Sequence, residues 1–467
     1  MIAAALTLAL LAAPVALADQ ALVTAESRYT AGDPSPRDGA PWWTTLRDPH
    51  LDALMAEGLR GNRDLRGAWE RVDQSEALAA QALSPLLPAV SFDVAANTAP
   101  TDTLGFQFGG LPFGGEDSPE LYGTGSAMVN LGWEVDVWGR NLLSQRANRF
   151  EAAASRGDRD ALAIALSTRI ASAYYDVVAG QARVALVEEQ IRTSAQLLEL
   201  VELRLERGEA TALDVLQQRQ QAASVSTLLP RARTQHRLAE QQLAVLVGLS
   251  PLEPAGEVGE ALPEITEPAA TGAPADLLDA RPDLVAAAAR LDAATDLRRT
   301  AERRLLPSVQ VSAQAGWQAF HLDELDTQAS WGAGASLSVP LFQGGAGWAG
   351  LRHARSARDA AEQAYAQAVL LALQEVEGAL VHDQEIRAEL EAVRLQEQAA
   401  RQDFEESRER YLGGLTSYLS VLAALSAWQQ SQLAELETRR AVVGARIQLY
   451  DALGGTWPAE LATGDAS

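Results

Sequence analysis

The segment ASWGAGASLSVPL (329–341) sets Ala329, Trp331, Ala333, Ala335, Leu337, Val339 and Leu341 on one parity. Ser330, Gly332, Gly334, Ser336, Ser338 and Pro340 fall on the other. Side chains of a strand alternate between faces, so this pattern predicts a strand with one apolar and one small, polar face. The stretch 127–137 repeats it, with Val129, Leu131, Trp133, Val135 and Val137 against Met128, Asn130, Gly132, Glu134 and Asp136. So does 309–317, where Val309, Val311, Ala313, Ala315 and Trp317 oppose Gln310, Ser312, Gln314 and Gly316. Val90, Phe92 and Val94, facing Ser91 and Asp93, begin a fourth and weaker strand.

Strands of this length and segregation suit a barrel wall between lipid and water, where a crossing takes roughly 9–11 residues. Aromatic residues fall near the strand ends: Trp317, Phe320 and Trp331 at the hairpin turn, Trp133, Trp138 and Phe342 at the other. These six are the expected membrane girdle. A soluble sheet packed on a core gives the same alternation and stays open as an alternative. Lipid would impose a further condition. Membrane barrels have at least ~8 strands, because an open edge in hydrocarbon leaves backbone groups unpaired. Four strands per chain therefore require several chains to pool them.

Working outward, the chain repeats itself. GEATALDVL (208–216) matches GLTSYLSVL (414–422), and the same offset pairs Arg204 with Arg410 and Gly248 with Gly454. DLRGA (64–68) resembles DLVAA (283–287), and Leu87-Pro88 resembles Leu306-Pro307. Extra residues in the first copy, GFQFGGLPFGGED (105–117), read as a Gly- and Pro-rich loop. The expected organisation is a signal peptide (1–18), a first structural repeat (19–252), a Pro-, Gly- and acid-rich linker (253–276), a second repeat (277–457) and a tail (458–467).

Each repeat contains a long proline-free window rich in Ala, Leu, Gln, Glu and Arg. These predict helices from about Arg140 to the Gly208 turn and from about Gly347 to Gly413-Gly414, each on the order of 100 Å long. Runs of that length imply coiled coil rather than globular core. Each helix then turns at a Gly and returns, to about Val247 and Ala452. Thr211 and Ser417 are the expected caps of the returning helices, and Leu213, Val215, Leu216 and their partners the start of an apolar face.

Bulk properties narrow the function. Across 467 residues the net charge is −24, which argues against a nucleic-acid partner. Cysteine is absent, excluding disulfides, thiolate metal sites and a lipidated N-terminal Cys as numbered. The N-terminus MIAAALTLALLAAPVALADQ has an apolar core and a small-x-small pattern at Ala16-Leu17-Ala18, so cleavage is expected before Asp19. The usual basic n-region is missing, so the true start is expected upstream. His50, His236, His321, His353 and His382 have no ligand spacing, no Gly-rich loop is followed by Lys, and GGLPFGG (109–115) reads as a surface loop. The expectation is no enzyme, no cofactor and no metal.

Taken in order, WWTTLRDPHLDALMAEGLRGNRDLRGAWERV, WEVDVWGR, ARPDLVAA, LSVPLFQGG and RYLGGLTSYLSVL…QLYDALGGTW resemble the TolC-type outer membrane efflux factors, in the branch serving resistance-nodulation-division (RND) pumps. The resemblance covers about Trp42 to Trp457. It implies a mainly α fold with a membrane β-barrel, in which three chains pool four strands each into a twelve-stranded barrel in the outer membrane. Long α-helical hairpins continue it as a coiled-coil tunnel through the periplasm. The implied partners are two further copies in a homotrimer, outer membrane lipid, a periplasmic adaptor (membrane fusion) protein and an inner-membrane pump. Residues Arg207, Gly208, Glu209, Thr211, Gly413, Gly414, Leu415, Thr416 and Ser417 are then the adaptor-binding tips. The chain departs from the branch in having Asp19 where many members carry a lipidated Cys, and no acid in the stretch Leu415-Thr416-Ser417. An acidic gate would rest on Asp214 or Glu209, with Asp214 the candidate. Conduction would be passive, through a tunnel whose acidic walls favour cations. The duct of a type I protein secretion system and a secreted coiled-coil structural protein remain the alternatives.

Overall fold

The computed structural model describes residues 29, 40–100, 121–265, 267–319 and 327–457. The signal segment, the loop 105–117, Phe320, His321 and the tail 458–467 lie outside the described residues. In chain order the helices are α1 (Pro49–Gly61), α2 (Arg63–Gln81), α3 (Arg140–Glu206), α4 (Ala212–Ser226), α5 (Leu228–Val247), α6 (Leu277–Ala280), α7 (Pro282–Arg303), α8 (Ala346–Leu412) and α9 (Tyr418–Ala452). The strands are β1 (Ala89–Pro100), β2 (Leu121–Val135), β3 (Ser308–Ala319) and β4 (Thr327–Ser338). The order helix, two strands, long helix, return occurs twice. Two compact units share the chain. One gathers Asp73–Ala154 and Ala288–Ala364, the other the described parts of Met1–Val72, Ser155–Ala287 and Tyr365–Ser467.

The first unit holds the sheet, antiparallel throughout in the order β1-β2-β3-β4. Its register sorts the two faces completely. Val90 faces Leu131, Phe92 faces Val129 and Val94 faces Ala127. Val129, Leu131 and Trp133 continue to Ala315, Ala313 and Val311, and these to Trp331, Ala333 and Ala335. The opposite face carries Ser91, Asn130, Gln314 and Gly332 in line, with Asp93 one diagonal step away. There the Asn130 amide donates to Asp93 at 2.7 Å. The fourth strand is not weak: β1 pairs along all 12 of its residues. β2 and β4 stop at Val135 and Ser338, short of the expected Val137 and Leu341. Pro340 has no N–H for a ladder, and Asp136 turns away to cap a helix.

That cap fixes the strand-to-helix junction. Asp136 accepts the N–H groups of Asn141 (3.1 Å) and Leu142 (2.8 Å) at the start of α3. Arg140 donates to both oxygens of Glu134 at 2.6 Å. Trp138 donates its indole N–H to Pro307 O at 2.7 Å, and Arg303 donates to Gly139 O at 3.0 Å. WEVDVWGR thus spells a corner in which every polar side chain holds backbone or counter-charge.

The long helices α3 and α8 are equal, 67 residues each, and each has residues in both units. The second hairpin returns as one helix of 35 residues, α9. The first does not return as one: it breaks at Thr227 into α4 and α5. Pro230 explains the break, since it has no N–H for the Ser226 carbonyl and its ring crowds that group. A belt of short elements packs mid-helix around Trp42, Leu51, Met55, Ile170, Tyr174, Tyr175 and Val443. Trp42 donates to Ser167 at 2.9 Å and stacks on Tyr450. The Tyr174 hydroxyl donates to Asp48, the N-cap of α1, at 2.7 Å and accepts from Gly259 N–H at 2.8 Å. One phenol therefore ties belt, linker and long helix together. In the ARPDL motif Arg281 reaches Asp283 (2.7 Å), Glu375 (2.7 Å) and Ala452 O (3.0 Å).

The deepest ion pair joins α8 to α9. Arg446 donates to Asp383 at 3.0 and 3.3 Å and to Glu267 O of the linker at 2.7 Å. Both side chains are almost wholly buried. Asp383→Ala strands a buried guanidinium and is expected to destabilise by about 3–5 kcal/mol. The double change Asp383→Leu with Arg446→Met should recover most of that loss. Thermal unfolding of the purified protein in detergent, followed by circular dichroism, reads both.

Candidate functional site

Both long helices end by one device. Gly208 has φ +76° and Gly414 φ +71°. At the first, Glu209 N–H donates to Arg204 O (2.8 Å) and Gly208 N–H to Leu205 O (2.9 Å). At the second, Leu415 N–H donates to Arg410 O (2.8 Å) and Gly414 N–H to Tyr411 O (3.0 Å). This is a Schellman ending in both copies, residue for residue along the repeat. A Cβ at either glycine would meet nothing within 4 Å. The left-handed backbone, not crowding, is what demands glycine there.

The tips then differ. Thr211 accepts from Asp214 N–H (3.3 Å) while the Asp214 carboxylate accepts from Thr211 N–H (2.8 Å), a capping box on α4. The gate candidate is thus engaged with its own backbone. Ser417 sits at the N-cap position of α9 without accepting any cap hydrogen bond. Its repeat lacks the acid that closes the box: Ser420 stands three residues on and bonds Thr416 instead (3.2 Å). Arg207, Glu209, Gly413 and Leu415 are exposed, and Thr416 is half-buried.

The two tips meet in one cluster built on Val215, Phe404, Tyr411, Tyr418 and Val421. Tyr411 and Tyr418 pack edge to face. Burial first, then the Asp214 charge, pushes the Tyr411 phenol up, and Tyr418 is raised by burial, by Tyr411 and by Asp214. Both stay neutral. Arg204 clasps the hairpins: its guanidinium lies 4.7 Å over the Tyr411 ring and donates to Leu412 O at 3.0 Å. Above the cluster runs a seam of amides that periodicity alone did not mark. Gln190 donates to Gln429 O (2.9 Å), Gln218 to Ser194 O (2.7 Å) and Gln429 to Ser194 Oγ (3.1 Å). The Tyr418 hydroxyl donates to Gln218.

The expected apolar face needs correction. Val215 and Val421 are buried, but Leu213, Leu216 and Leu419 are about 60% exposed and Leu415 is 80% exposed. Two residues, about 200° around the helix, separate 213 from 215 and 216 from 218, so these leucines point away from the hairpin core. They form an outward apolar rim beside the tip residues.

Of the girdle residues, Trp317 and Trp331 lie on the apolar face at diagonal positions toward the β3–β4 turn. Trp133 lies on the same face toward the helices and donates to Leu86 O at 3.2 Å. Trp138 and Phe342 follow the strand ends, Phe342 almost fully exposed. Phe320 is outside the described residues.

A family model described as outer membrane efflux protein matches residues 54–249 and 273–455, most of both repeats. The chain belongs to the outer membrane efflux protein family. Among curated relatives, the pyoverdine export outer membrane protein OpmQ of Pseudomonas putida is 29% identical over 424 residues, 90% of this chain and 89% of the relative. The toluene efflux pump outer membrane protein TtgF, also of Pseudomonas putida, is 29% identical over 432 residues, 89% of this chain and 85% of the relative. Of solved structures, the outer-membrane channel OprN superposes with TM-score 0.81 at 26% identity, over 92% of this chain and 97% of that one. The outer membrane protein VceC of Vibrio cholerae gives TM-score 0.81 at 26% identity, over 91% and 100%. The chain is thus an outer membrane efflux channel protein, a duct rather than an enzyme. Its fold is the mainly helical one with four strands per chain.

Equivalent arginines should behave differently. Arg204→Ala removes a buried clasp worth roughly 1–2 kcal/mol and should speed amide hydrogen exchange around Tyr411 and Tyr418 roughly 5–30-fold. Arg410→Ala, which loses only an exposed pair with Glu406, should change exchange by less than about twofold.

Proposed function

We propose that the chain is the outer-membrane exit duct of a tripartite efflux system. It works as a homotrimer, in contact through its hairpin tips with a periplasmic adaptor that leads to an inner-membrane pump of the RND type. One observation carries the reading. The sheet has a mainly apolar face, and among the described residues β1 and β4 each leave an edge without a ladder partner. Twelve-residue strands span roughly 40 Å, enough to cross an apolar band of about 25 Å at a tilt near 45°. In lipid those edges must pair with further copies. Two copies would give about eight strands, whose interior side chains fill; three leave an open lumen lined by the polar face. Names of the relatives that refer to efflux pumps favour a pump partner over protein secretion.

The acidic chain favours a cation-selective tunnel. The exposed leucine rim with Arg207, Glu209, Gly413 and Thr416 is the surface offered to the adaptor. Asp214 acts at the gate by holding the first tip rigid, so that opening involves the uncapped second tip more than the first.

Planar-bilayer recording on detergent-purified protein, with cross-linking of the same sample, tests the duct. Cation-selective openings from a trimer are expected, and a water-soluble monomer without conductance would overturn the reading. Val129→Arg, at mid-face, should cost about 2–4 kcal/mol and sharply lower the membrane-inserted fraction, whereas Asn130→Ser on the polar face should not. Leu415→Asp should abolish export in cells at unchanged bilayer conductance. Intact export would remove the tips from the docking surface.

A further inference from the structure

A groove of about 590 Å³ lies between α7 and α8 in the strand unit. Its lining sets Leu297, Gly347 and Gly350 beside two guanidinium groups, Arg140 and Arg304, with the imidazole of His353 next to them in the lining. Sequence fixes its level. Arg304 stands just before β3 begins at Ser308, and Arg140 just after β2 ends at Val135. The exposed side chains of Phe342 and Trp348 occupy the same short stretch beyond β4.

The charge is out of character for the chain. Net charge is −24, yet α7 closes on Arg298, Arg299, Arg303 and Arg304, and α8 opens with Arg352, His353 and Arg355. Some of these cations are already matched. Arg140 is held by Glu134, Arg299 by Asp296 and Arg355 by Glu302. Arg304 and Arg352 are exposed and make no ion pair among the described residues.

We propose that this groove binds one anionic glycerophospholipid per chain, and the proposal rests on the barrel reading above. The phosphate diester meets the Arg304 guanidinium beside Arg140 and His353, where its charge is matched by forked donors. An acyl chain runs over Leu297 and Gly350, where the missing side chain at 350 leaves open space. Cationic clusters at the membrane boundary attract anionic headgroups in this way. Bound lipid would anchor the helix ends at the height at which the strands enter the membrane.

Native mass spectrometry of the detergent-purified full chain tests this, with phosphatidylglycerol and phosphatidylcholine added separately. Two variants divide the site. Arg304→Gln removes the unpaired cation. Gly350→Leu fills the trough, and a Cβ there meets nothing within 4 Å, so the helix tolerates it. Wild type is expected to retain phosphatidylglycerol over phosphatidylcholine. Arg304→Gln should lose that preference by about tenfold, and Gly350→Leu should lose retention of both lipids. Equal retention by all three proteins would overturn the proposal and mark the lipid as unspecific coating. Bilayer conductance of the same preparations separates the two readings. Conducting channels with unchanged lipid retention defeat this inference alone, and loss of conductance in wild type defeats the barrel as well.

Discussion

The constraint on which the rest depends is an unpaired strand edge. A four-stranded sheet in water can leave its edges to solvent. In hydrocarbon each backbone group without a partner costs several kcal/mol. The register supports the proposed lipid face, because Val90, Leu131, Ala313 and Ala333 lie in one row across all four strands with apolar neighbours above and below. On the proposed reading, the edges of β1 and β4 are satisfied by other copies of the chain. The corner built by Glu134, Asp136, Trp138 and Arg140 serves that need, since it fixes the direction in which α3 leaves the sheet. Helices held at a defined angle bring neighbouring edges into register; helices on a loose joint would not.

Duplication supplied the architecture, and divergence supplied its polarity. Gly208 and Gly414 do one job twice, because only glycine takes the left-handed backbone of the turn at no cost. Arg204 and Arg410 hold equivalent places in the repeat and differ in contact: one is a clasp on Tyr411, the other a surface partner of Glu406. The first tip carries a complete capping box and the second has none. The first return helix is broken at Thr227 and the second is continuous. A chain with two identical hairpins would give identical staves around a tunnel. This one gives two kinds, one with a capping box at the tip and one without.

Much of this was legible in the residues, and the reason is periodicity. Strands with strict alternation and helices without proline leave few competing conformations, and the ends of α3, α8, α5 and α9 fall where glycine or composition put them. Legibility failed where a residue's fate depends on a second segment. Leu213 and Leu216 read as core because they are apolar, but the face they occupy is settled by where Tyr411 and Tyr418 lie. The full length of β1 came from its pairing with β2, which its own sequence does not encode. Nothing in the local sequence marks Asp383 and Arg446, and only their meeting across 63 residues makes them a buried pair. The groove between α7 and α8 was equally silent, since small residues in a helix ordinarily signal close packing.

The amide seam shows why the helices are joined as they are. Between the hairpins, Gln190, Ser194, Gln218 and Gln429 occupy positions where a coiled coil ordinarily holds leucine or valine. Leucines there would bury more apolar area and hold the helices more tightly, but they would do so in several registers. An amide that donates to one particular carbonyl, as Gln190 does to Gln429 and Gln218 to Ser194, is satisfied in one register and left unpaired in the next. Each such loss costs about 1–3 kcal/mol in a buried site. The seam therefore trades strength for registration. That exchange suits a helix pair roughly 100 Å long, whose tips can meet only if the two helices have not slipped by a single turn on the way down.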